Sequence, residues 1–210
     1  GLTYSDVNGV NLRFMVKKVG NHYETDHDFI KMLADFGLDE LSLPFETASK
    51  EMMLKYATGK YDIEAMDPIG ILKAVKKNGI RAAAGFLIGF RDETWQSVLR
   101  TRDFAKLLIK EGLDQVGFAI PVPYPGTLDF EYEMSKSDQR KDFNENLLQY
   151  TDRMHNRGKP LFHTDVPGKD LITAVKNFWE ELNSKELINE INSLRALNPK
   201  SDISNKSNSV

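Results

Sequence analysis

The pentapeptide Gly37-Leu38-Asp39-Glu40-Leu41 returns later in the chain as Gly112-Leu113-Asp114-Gln115-Val116. Ahead of the first copy, Phe29, Met32, Leu33 and Phe36 recur at intervals of three and four. Val98, Phe104, Ala105, Leu108 and Ile109 do the same ahead of the second. That spacing puts apolar side chains on one face of a helix. The glycine that follows can take the left-handed conformation that closes a last turn. Gly79, after Ile71, Leu72 and Val75, repeats the device. Each time an apolar run follows at once. Helix, glycine stop, short link and strand, repeated, calls for parallel strands joined by helical crossovers.

Four β-like runs are read, at 10–17, 40–46, 80–89 and 115–122. Helix-like sequence follows the first three, at 26–36, at 49–57 and 67–78, and at 94–111. The expected fold class is α/β. Four strands cannot close an eight-stranded barrel, so the expectation is an open parallel sheet or a partial (β/α) barrel. After Thr127 the pattern changes. Residues 128–156 read as helix, with Phe143, Leu147, Leu148, Tyr150 and Met154 as apolar positions. A short strand or extended link is expected at 159–165, and two helices at 170–196, broken near Asn183-Ser184. The expected division is an α/β body at 1–165, accessory helices at 166–196 and a disordered tail at 197–210, which has almost nothing to bury.

Composition narrows the function classes. With 28 Lys+Arg against 31 Asp+Glu the net charge is −3, so no general attraction for polyanions follows and nucleic acid is not an expected partner. The longest apolar runs, at 82–88 and 116–122, fall far short of the roughly 20 residues of a membrane span. No secretory pattern is visible, and a cytoplasmic location is expected. The chain has no cysteine. Disulfides, a cysteine nucleophile and a cysteine-held iron–sulfur cluster are therefore excluded within it. It begins Gly1-Leu2-Thr3-Tyr4, without methionine, and reads as a processed chain or a fragment.

In parallel α/β folds ligands bind beyond the carboxyl ends of the strands. Four segments qualify: 17–20, 45–47, 89–94 and 121–127. Glu46 ends an apolar strand, where a carboxylate can accept from ligand hydroxyls or an ammonium. Thr47 or Ser49 suits a helix N-cap just after it. Gly85 and Gly89 flank Phe86-Leu87-Ile88 and permit close approach of a backbone or a flat ligand. Asp92-Glu93-Thr94 opens the long helix, with Thr94 as its cap. Pro121, Pro123 and Pro125 stiffen the segment after the last strand. His22, His27, His155 and His163 show no helical zinc spacing.

Together LPFET, KYATGK, NGIRAAAGFLIGFRDET and VPYPGT, in that order, resemble the later half of the radical S-adenosylmethionine (SAM) domain, over residues 10–127. The resemblance implies part of a TIM-like (β/α)6 barrel that binds SAM. It implies that Glu46, with Thr47 beside it, meets the ribose or methionine part of SAM. Lys60 is the candidate partner of the methionyl carboxylate. Leu87, Ile88 and Gly89 would line the adenine, in a motif that runs on to Glu93. Ile120, Pro121 and Val122 would close the pocket from the neighbouring strand. Arg91-Asp92 stands where the family carries Pro-Gly, and Thr58 where its basic residue is expected.

The resemblance further implies a [4Fe-4S] cluster in the parent protein, its three-cysteine motif on sequence ahead of this chain. It implies a 5′-deoxyadenosyl radical, an organic substrate, and an electron donor such as flavodoxin or ferredoxin. Gly85-Phe86 is most similar to the branch that carries cobalamin, often with methyl transfer, which makes cobalamin a candidate cofactor. Two other readings fit the residues. One is a cluster-free aldolase-like barrel using Lys17, Glu46 or Glu93 as acid or base. The other is a non-catalytic module that binds an adenine nucleoside.

Overall fold

Both repeated pentapeptides tie their strand to the one before it. In the computed structural model Ser5 Oγ donates to Asp39 at 3.1 Å, and the Ala82 amide donates to Asp114 at 2.7 Å. Leu38 and Leu113, one position earlier, are buried equally. After Gly79 the charges are reversed: the Arg81 guanidinium reaches back to Glu40 at 2.6 Å. One local device thus docks three successive strands.

The structure describes residues 2–6, 8–56, 59, 61–62, 64–136, 140–141, 143 and 166–197. Lys60, the readings on 144–165 and the tail beyond 197 lie outside the described residues. The sheet runs β1 (Tyr4–Asp6), β4 (Leu38–Glu46), β5 (Arg81–Leu87) and β6 (Gln115–Ala119), every pair parallel. A separate antiparallel hairpin, β2 (Val16–Val19) and β3 (His22–Thr25), lies between the first two in sequence. Strand order in the sheet follows chain order without reversal. That is the winding of a barrel segment; a doubly wound sheet reverses at its switch point.

The run at 10–17 is not a strand of this sheet, contrary to its alternating pattern. Leu12–Met15 forms a 3₁₀ turn that buries Leu12 and Met15, three apart, and the chain then enters the exposed hairpin. The first sheet strand is Tyr4–Asp6, which carries no aliphatic side chain to announce it.

The helices are α1 (His27–Asp35), α2 (Lys50–Tyr56), α3 (Pro68–Lys77), α4 (Trp95–Glu111), α5 (Leu128–Met134), α6 (Gly168–Leu182) and α7 (Lys185–Leu197). All fall where expected except α5, which stops at Met134, capped by Ser135, and does not run on through the stretch expected from 128. Asp26, Asp67, Thr94 and Thr127 cap their helices by accepting from an amide two or three residues on. In α1 the fully buried residue is Ile30, while Met32 and Phe36 face solvent.

The two faces of the sheet differ in side-chain size. Phe45, Phe86 and Phe118, on adjacent strands, stack in a row with ring centroids 6.3 and 5.5 Å apart. Phe104 of α4 and Phe178 of α6 close on that row edge to face. Each such pair adds about 0.5–1.5 kcal/mol beyond area burial. Leu171, Ala174, Phe178 and Leu182 of α6 join the same core. The opposite face carries small residues, Ser42, Ala83, Gly85, Gly117 and Ala119, all half-buried.

Candidate functional site

Three of the sheet's carboxyl-terminal exits hold the residues singled out by sequence, and each leaves its strand by a different device. At the end of β4 the buried Glu46 takes φ 64, the only positive φ at a non-glycine among the described residues. The Thr47 amide donates to the Phe45 carbonyl at 2.7 Å, closing a three-residue γ-turn about Glu46. Such a conformation costs roughly 1–3 kcal/mol and persists where neighbours over-determine it.

Those neighbours are hydroxyls. Thr47 and Thr101 are fully buried, and their hydroxyl oxygens lie 3.2 Å apart. Thr101 Oγ1 also accepts from the Ala48 amide at 3.2 Å. Thr47 Oγ1 accepts from the Ser49 amide at 3.0 Å, and Ser49 Oγ from the Met52 amide. Both residues expected as caps do accept. Thr47 holds the turn from behind.

The exit of β5 is a glycine turn held by a buried acid. Gly89 has φ 91, and Glu93 is fully buried. Glu93 Oε2 accepts from the Gly89 and Phe90 amides at 2.7 and 3.2 Å, and its Oε1 from Ser97 Oγ at 2.7 Å. Burial raises the Glu93 pKa, against which these three hydrogen bonds pull it down. Glu93 thus shapes the turn from inside the chain.

Arg91 and Asp92 tether the turn on its two sides. Asp92 accepts from Tyr56 Oη at 3.1 Å, while the Tyr56 ring stacks on Phe90. Arg91 lies 3.7 Å from Asp129, with its guanidinium 4.0 Å from the centre of the Tyr132 ring. From the helix side, the Leu171 side chain would lie 2.6 Å from any Cβ placed on Gly89.

Beyond β6, Ile120, Pro121 and Val122 are half-buried. Ile88, fully buried, pairs its amide with the Ala119 carbonyl at 3.0 Å, so these two exits are joined. Leu87 looks onto the small-residue face. There a Cβ added at Gly85 would meet no described atom within 4 Å. Gly85 has no positive φ, so neither packing among the described residues nor backbone geometry demands glycine at this place. The strained Glu46, the Gly89 turn and this open space are therefore neighbours across paired strands: Pro44 is opposite Gly85, and Gly85 opposite Gly117.

Lys17 is not on a strand of this sheet. It lies on the hairpin, half exposed, 4.0 Å from Asp28. At the exit of β1, Asp6 accepts from the Asn8 and Gly9 amides. Sequence reasoning passed over these bonds, and also Ser97, whose partner Glu93 is one helical turn earlier, and Thr101, whose partners Thr47 and Ala48 lie far back in the chain. Among the described residues no group of His, Asp or Glu side chains is arranged to hold a metal, and no helix is long and apolar enough to cross a membrane.

No family model matches the chain. Over 107 residues, 51% of this chain, it is 34% identical to an uncharacterised methyltransferase of Pyrococcus horikoshii. The chain spans only 22% of that relative's length. Among solved structures it overlaps the radical SAM methyltransferase TsrM of Kitasatospora setae, at 18% identity and TM-score 0.40, over 47% of this chain and 19% of that one. It also overlaps methylornithine synthase, at 18% identity and TM-score 0.43, over 73% of this chain and 42% of that one. The fold itself rests on the strand order described above.

Proposed function

We propose that this chain is the SAM-binding, C-terminal portion of a radical SAM enzyme. The observation that carries the reading is the juxtaposition at the strand ends. A carboxylate is held on a strained turn beside a glycine-floored space that packing leaves open.

The residues suit the ligand. Glu46 can accept hydrogen bonds from ribose hydroxyls or from the methionyl ammonium. Gly85 and Gly117 leave room for a flat ring to lie on the sheet. Leu87 and the backbone of Ile88-Gly89 form one wall, and Ile120, Pro121 and Val122 the other. Glu93 and Thr47 hold these groups in place from within. Lys60 is retained as the methionyl carboxylate's partner.

When bound, SAM supplies the reactive carbon that the radical chemistry uses. The chain's own part is to bind, orient and wall off that ligand. The cluster does not fit here, since there is no cysteine to hold it. In this reading its ligands, the electron donor's docking site and any cobalamin belong to other parts of the parent polypeptide. Similarity to a methyltransferase favours methyl transfer to an organic substrate as the parent reaction. The aldolase-like alternative loses its lysine to the exposed hairpin and Glu93 to the Gly89 turn.

The test is SAM binding by equilibrium dialysis, using the native polypeptide that carries this chain. Glu46→Gln keeps the side chain's length and removes its charge. It should weaken binding at least tenfold, about 1.4 kcal/mol. A native protein that does not bind SAM, or a Glu46→Gln variant that binds it equally well, would overturn the reading.

A further inference from the structure

We infer that Thr101, in the middle of α4, is a positioning residue that sets the direction of the Glu46 carboxylate. The inference rests on the reading of Glu46 as a SAM-binding group, and it names a residue far from the strand ends in sequence.

Thr101 is fully buried, at a helix position where a β-branched residue is not a favoured choice. Its hydroxyl oxygen accepts from the Ala48 amide and lies within hydrogen-bond distance of Thr47 Oγ1, both at 3.2 Å. These are the two residues that follow Glu46. The γ-turn closes on Glu46 through the Thr47 amide and the Phe45 carbonyl. Thr101 holds the chain just beyond, where it leaves the turn. A left-handed glutamate has no conformational preference of its own for that state, so contacts beyond the turn's own hydrogen bond help to hold it.

One helical turn earlier, Ser97 bonds to Glu93, which holds the Gly89 turn. Ser97 and Thr101, four residues apart on one face of α4, therefore fasten the two turns that flank the open space over Gly85. Registration of Glu46 against Gly89 is set by a single rigid element.

The experiment uses the native polypeptide with Thr101→Val and Thr101→Ser, each alone and with Glu46→Gln. Thr101→Val should weaken SAM binding about tenfold, and Thr101→Ser should restore it to within about twofold. In the Glu46→Gln background Thr101→Val should add less than about twofold, the signature of a residue acting through Glu46. Unchanged affinity in Thr101→Val, or a full tenfold loss added to that of Glu46→Gln, would overturn the inference. Should the valine variant not fold, Thr101→Ala removes the hydroxyl without added bulk and is read in the same way.

A crystal structure of the hydroxyl-free variant separates this inference from the proposed function. Glu46 should leave the left-handed region when the hydroxyl is lost. If Glu46 keeps positive φ, Thr101 does not position it, even in a protein that binds SAM. A native protein that fails to bind SAM defeats the proposed function, while the φ readout still judges Thr101.

Discussion

Glu93 carries a charge into the core and surrounds it with three donors. Because burial holds its pKa above the ordinary value, the folded chain takes up this proton before the unfolded chain does as pH falls. Its contribution to stability is complete below the unfolded-state pKa and is lost as pH rises through the folded-state pKa. Glu93→Gln keeps an oxygen for the Gly89 and Phe90 amides and offers an NH₂ to Ser97. The stability of the native chain minus that of Glu93→Gln should therefore decline as pH rises out of the ordinary carboxylate range, in urea titrations across pH. A difference independent of pH would contradict this. Glu93→Ala orphans the buried donors and should cost about 3 kcal/mol. Tyr61 is the opposite case. Its hydroxyl is buried with no hydrogen-bond partner among the described residues, and burial pushes its pKa up. Tyr61→Phe should leave the thermal midpoint unchanged or raise it; a drop of several degrees would reveal a partner. The cap at Thr94 was legible because a cap is a local rule. The positive φ of Glu46 was not, because no local rule selects it and the hydroxyl that helps to hold it, from Thr101, lies 54 residues beyond Thr47.

At the scale of elements, the sequence revealed what periodicity and glycine stops encode. Helices at 68–77 and 95–111 and strands at 81–87 and 115–119 lie within the expected segments. The stretch at 10–17 misled because its alternation at Val10, Leu12, Phe14 and Val16 hid the pair that is buried, Leu12 and Met15, whose spacing of three suits a 3₁₀ turn, while Phe14 is exposed. The break at Asn183 was visible, but its purpose was not. The Asn183 side-chain amide accepts from the Val116 amide and donates to the Val116 carbonyl, each at 3.0 Å, as a neighbouring strand would. It thereby joins the end of α6 to β6. Asn183→Ala should destabilise the chain by about 2 kcal/mol. Asn183→Asp, nearly the same shape, should do no better, because a carboxylate cannot donate to the Val116 carbonyl. Urea titration of both variants checks this; a harmless Asn183→Asp would mean that the pairing does not matter.

At the scale of the molecule, two surfaces are unfinished among the described residues. The outer edge of β1 pairs with no described strand, and Leu2, Met32 and Phe36 expose apolar side chains nearby, Phe36 at 73%. Open edges invite association. This chain on its own should self-associate with rising concentration in sedimentation velocity, and a monomer throughout would argue that the edge is protected. The other surface is the small-residue face with Glu46 at its rim, on which the functional account depends. Gly85→Val tests it most directly. A strand favours valine over glycine, and the structure leaves space for the side chain, so the thermal midpoint of the native polypeptide should hold or rise. Equilibrium dialysis should nevertheless show SAM binding at least tenfold weaker, because the new side chain fills the space proposed for the ligand. Undiminished SAM binding by a folded Gly85→Val protein would contradict the account.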